Sequence, residues 1–132
     1  MIIPTGTLIA IVDGEKLQLF ENIGHADIKL KALSVGAIEE RASGASGRQS
    51  SGANPDNDTQ AEDGFAVGVA NAINARVLNG KVDNLLVIAA PKTLGQLRKG
   101  WHKQTESKLV GEIAKDLTGH STEDIETAIQ KA

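Results

Sequence analysis

The stretch Leu85-Leu86-Val87-Ile88-Ala89-Ala90-Pro91-Lys92-Thr93-Leu94-Gly95-Gln96-Leu97-Arg98-Lys99 decides the fold. Its first six residues are apolar without alternation, as in a central strand covered on both faces, and Pro91 removes the backbone donor that would continue it. Thr93 with Gln96 three residues on has the form of a capping box that opens a short helix. A strand running straight into a helix marks a βαβ-like unit and an α/β fold.

Working toward the N-terminus, Leu8-Ile9-Ala10-Ile11-Val12 is a second run apolar on both faces, followed at once by Asp13-Gly14. That pair is suited to the positive φ angles of a tight hairpin. The returning segment Lys16 to Glu21 alternates through Leu17 and Leu19, and a turn around Asn22 to Asp27 leads to Ile28-Lys29-Leu30-Lys31-Ala32. Three antiparallel strands are expected from this. Thr59 and Glu62 form another capping-box pattern, after which Phe65, Val69, Ala72, Ile73 and Val77 recur at helical spacing up to Asn79-Gly80. Gly64 and Gly68 within that run would let the helix lie close on a sheet. Lys108 to Leu117 reads equally as helix and strand, and from about Ser121 a last helix carries Ile125, Ala128 and Ile129 on one side.

Between these elements, from Ala42 to about Gln60, the composition turns to Ser, Gly, Asn, Asp and Gln. Such a mixture buries too little apolar surface to offset the entropy of ordering it, so a flexible loop is expected there. The whole chain has 132 residues and 40% hydrophobic content, which fits one domain spanning 1–132 with one core. Two Phe, one Trp and no Tyr mean that Ile, Leu, Val and Ala must build that core. The lack of Cys excludes disulfides, thiolate metal sites and cysteine nucleophiles, and suits a reducing, cytoplasmic setting. No stretch approaches the ~20 apolar residues of a membrane span, so no membrane role is expected. The net charge of -3 gives no global attraction to nucleic acid.

Several strings together resemble the bacterial host attachment family, the "protein required for attachment to host cells". They are Ile11-Val12-Asp13-Gly14-Glu15-Lys16, Phe65-Ala66-Val67-Gly68-Val69-Ala70, the run from Leu86 to Lys99, and Glu112-Ile113-Ala114-Lys115-Asp116-Leu117-Thr118. The family is in turn similar to the middle domain of archaeo-eukaryotic class-one release factors and of the ribosome-rescue factor Pelota. This resemblance implies a ribonuclease-H-like mixed five-stranded sheet, in the order β-β-β-α-β-α-β-α, with Lys108 to Leu117 as its fifth strand. It also implies that the loop before the long helix corresponds to the loop that carries Gly-Gly-Gln in the release factors. Here Gly47, Arg48 and Gln49 stand at that place, so one glycine of the tripeptide is replaced. The plainer reading of the loop is a linker, and its acidic run Asp56, Asp58, Glu62 and Asp63 keeps it solvated.

The second candidate feature is a cluster of cations. Lys92, Arg98, Lys99, Lys103 and Lys108 are set against the single Glu106, with Trp101 and His102 among them. Such a cluster can neutralise RNA phosphates, with Trp101 stacking on a base; the plainer alternative is a solvated helix face and a tryptophan packed on the sheet. No metal or cofactor is expected. His25, His102 and His120 lack metal-ligand spacing, and Asp13 reads as a turn residue because Leu85 to Ala90 offers no second acid for a two-metal site. The resulting expectation is a non-catalytic cytoplasmic domain that associates with the ribosome or structured RNA. Two alternatives are a protein-interaction factor contributing indirectly to host attachment, and a peptidyl-tRNA or ester hydrolase in which Gln49 orients water.

Overall fold

The computed structural model of the chain describes residues 1–35 and 57–132, with side chains in the long helix from Gly64 onward. Among these residues five strands form one sheet: β1 (Leu8–Val12), β2 (Leu17–Asn22), β3 (Leu30–Leu33), β4 (Leu85–Ala89) and β5 (Leu109–Ile113). Their order is β3-β2-β1-β4-β5. β2 pairs antiparallel with both β1 and β3, whereas β4 pairs parallel with both β1 and β5. The helices are α1 (Asn57–Leu78), α2 (Pro91–Gly100), α3 (Lys103–Lys108) and α4 (Thr122–Lys131). This is the mixed, ribonuclease-H-like five-stranded sheet expected, with α3 as an addition to the expected order.

The two continuous apolar runs occupy the middle of the sheet, where every residue of β1 and β4 is buried. Alternate side chains separate into two layers. Ala10, Val12, Leu85 and Val87 meet α1 and α2 on one face. Ile9, Ile11, Leu86 and Ile88 meet Ile125 and Ile129 of α4 on the other. With apolar neighbours on both faces, these strands have no need of polar alternation.

Several boundaries differ from the sequence reading for identifiable reasons. Of the loop expected at about 42–60, the part up to 56 lies outside the described residues, and with it Gly47, Arg48 and Gln49. Asn57 to Gln60 belong instead to α1, so Thr59 is inside the helix and the Thr59–Glu62 capping box does not open it. The Thr93–Gln96 box fails likewise: α2 begins at Pro91, with Ala90 as an N-cap that makes no side-chain bond. Proline suits the first helical position because its missing N–H would have no partner there anyway. Asp13-Gly14 does turn the chain, but Gly14 keeps a negative φ. The Asp13 carboxylate holds the turn instead, with Oδ1 accepting from the Glu15 and Lys16 amides. Lys108 closes α3, and β5 stops at Ile113, leaving Leu117 to pack from the following loop.

Candidate nucleic-acid interface

The basic cluster lies along α2, the bend that follows it, and α3. On α2, Leu94 and Leu97 are buried against the core, so the helix period turns Lys92, Arg98 and Lys99 outward, where all three are exposed. Arg98 is held by a neighbour, its Nε 3.1 Å from Oε2 of Glu112 on β5. α2 ends with Gly100 pressed against α1: a Cβ there would stand 2.8 Å from that of Ala70. Trp101 then adopts an extended conformation that breaks the helix, and His102 caps α3 by accepting at Nδ1 from the Gln104 amide, 3.1 Å away. Lys103 and His102 are exposed, and Lys108 at the other end of α3 is half-buried.

Trp101 does not take the stacking role considered from the sequence. Its side chain belongs to the core layer beneath α1 and α2, and the residue is 8% exposed. An indole is large and mostly apolar, so burial between two helices and the sheet outweighs display at the surface. Its Nε1 is buried without a hydrogen-bond partner.

Asn74, on α1, organises this bend, and the sequence reading missed it. Its Nδ2 donates to the Gly100 carbonyl at 2.8 Å. Its Oδ1 accepts from the His102 amide at 3.0 Å and from the Thr105 hydroxyl at 2.6 Å. One carboxamide thereby ties the last residue of α2, the cap of α3 and the fully buried Thr105 to the long helix. The available signal was a lone polar residue in Ala72-Ile73-Asn74-Ala75, which helical periodicity places beside the buried Ile73 and Val77.

At the carboxyl end of the parallel strands, Asp13 plays a structural part. Its Oδ2 accepts from Oγ1 of Thr118 at 2.9 Å, which joins the β1–β2 turn to the loop before α4. Thr118 Oγ1 is also 2.7 Å from Oδ1 of Asp116. His25 lies 3.5 Å from the Thr5 hydroxyl, and His120 3.9 Å from a carboxylate oxygen of Asp124. Among the described residues no three His, Asp or Glu side chains converge in a way that could hold a metal ion. No described helix is long and apolar enough to cross a membrane.

The fold and its site define a mixed α/β domain with a basic helical bend beside a parallel sheet edge. Residues 6–129 match the bacterial archaeo-eukaryotic release factor family 12, and the chain belongs to that family. No curated protein and no solved structure matches it.

Proposed function

We propose that this domain acts in the cytoplasm by associating with the ribosome or with structured RNA, without catalysing a reaction itself, and that α2, α3 and the bend between them form its contact surface. The observation that carries this reading is the exposed row of cations on those elements in a member of a release-factor family. Lys99, His102 and Lys103 follow one another across the bend, with Glu106 on α3 and Glu112 paired to Arg98 beside them. Cations presented in this way bind phosphates by releasing condensed counterions, so the association weakens steeply with salt.

Co-sedimentation with ribosomes from lysate at low and high salt tests the proposal. The domain is expected in the ribosomal pellet at low salt and in the supernatant at high salt. Arg98→Glu with Lys99→Glu is expected to abolish pelleting. Pelleting that ignores both salt and charge reversal would sink the reading.

A further inference from the structure

We infer that the α2–α3 bend engages the sugar–phosphate backbone of duplex RNA in preference to single strands, with Asn74 as the residue that positions its cations. The inference rests on the RNA-association reading above and narrows it to one class of ligand.

Its first ground is the placement of every aromatic ring. The chain has two Phe, one Trp and no Tyr, and Phe20, Phe65 and Trp101 are 5%, 2% and 8% exposed. Proteins that hold single strands without sequence preference stack successive bases on exposed aromatic faces, at about 1–3 kcal/mol per base. This surface presents no Phe, Tyr or Trp to do so, and its recognition elements are charges and hydrogen-bond donors. Duplex RNA keeps its bases inside and is recognised mainly through its shape, its phosphates and its 2′-hydroxyls.

Rigidity is the second ground. Asn74 holds the backbone at Gly100 and His102 and the side-chain hydroxyl of Thr105, and Gly100 is pressed on Ala70. Lys99 and Lys103 therefore leave a backbone that is set before any ligand arrives. The His102 ring is held too, because Nδ1 accepts from Gln104, so in the neutral ring Nε2 carries the hydrogen and is the donor left for a ligand. A preset array loses little entropy on binding a partner whose phosphates are themselves fixed. A flexible strand would have to be ordered against it, with no stacking to offset the cost.

The full chain is titrated with a labelled RNA duplex of mixed sequence, with one of its strands alone, and with the matching DNA duplex, each at several salt concentrations. The RNA duplex is expected to bind about tenfold tighter than the single strand. Its logarithmic salt slope should be about -3, corresponding to the phosphates neutralised by Arg98, Lys99 and Lys103. Lys99→Ala with Lys103→Ala removes exposed side chains and is expected to flatten that slope. Asn74→Ala, or the milder Thr105→Val that removes one bond to Asn74, is expected to lower the duplex-to-single-strand ratio while leaving the slope in place. A merely structural role for Asn74 would not separate those two readouts.

Single-stranded RNA binding as tightly as the duplex overturns this inference and leaves the RNA-association reading standing. DNA duplex binding as tightly as RNA overturns the choice of RNA. An unchanged ratio in both folded variants removes Asn74 from the account. Absence of salt-dependent binding to every probe, together with absence from the ribosomal pellet, overturns the broader reading as well.

Discussion

Asn22 and Asn74 each gather a bend of the chain through a single carboxamide, but Asn22 is itself buried and Asn74 sits where the fold meets its basic surface. Asn22, 2% exposed at the end of β2, donates to the carbonyls of Ile3 and Pro4 and accepts from the amides of Gly24 and Lys29. It fastens the N-terminal segment and the β2–β3 turn to each other. Asn74 is half-buried, and what it fastens is the bend carrying His102 and Lys103. The same side chain thus supports the core in one place and arranges the candidate interface in the other. The difference is one of degree: the Asn22 carboxamide makes four bonds from a buried residue, whereas Asn74 makes three from a half-buried one closer to solvent.

The comparison breaks most readily at Asn22. Asn22→Ala removes the four hydrogen bonds of one buried side chain and is expected to destabilise the domain by about 2–4 kcal/mol, read from urea denaturation. A loss no larger than that of Asn74→Ala would show that the two bends are equally tolerant and would erase the contrast. Asn74→Ala is expected to cost about 1–2 kcal/mol in the same measurement, because water can replace part of what is lost. Its larger effect should fall on RNA binding, so a purely thermodynamic phenotype would move Asn74 into the same class as Asn22. The smallest effect on stability belongs to Arg98→Ala. That side chain is 59% exposed, and its pair with Glu112 is screened by solvent, so the change should stay below about 0.5 kcal/mol. Ribosome pelleting should nevertheless weaken, and a normal pellet would place Arg98 outside the contact surface.

Much of the scaffold was legible from local pattern. β1 matched its expected residues, Leu8–Val12, because five consecutive apolar residues have no stable place except between two covered faces. The last helix also began where expected, after Ser121, whose hydroxyl accepts from the Asp124 amide. The two capping-box patterns misled because Thr59 and Thr93 fall inside helices that start earlier, and spacing alone does not tell a cap from a third-position threonine. Among the site residues, the outward cations of α2 followed from helical period, since Leu94 and Leu97 set its buried side. Trp101 could not be assigned, because an indole beside lysines satisfies a stacking surface and a core equally well on paper.

What the sequence determined by itself was the alternation of apolar runs with turn residues, the poverty in aromatics and the bunching of positive charge between residues 92 and 108. Those are properties of neighbours along the chain, and hydrophobic burial and helical period act on them directly. Only the tertiary structure decided that Trp101 faces inward, that Arg98 pairs with Glu112, and that Asn74 reaches three points across the bend. Each of those depends on elements brought together by packing α2 and α3 against α1, with β5 alongside, and residues 26 to 31 positions from Asn74 in sequence leave no local mark of the contact.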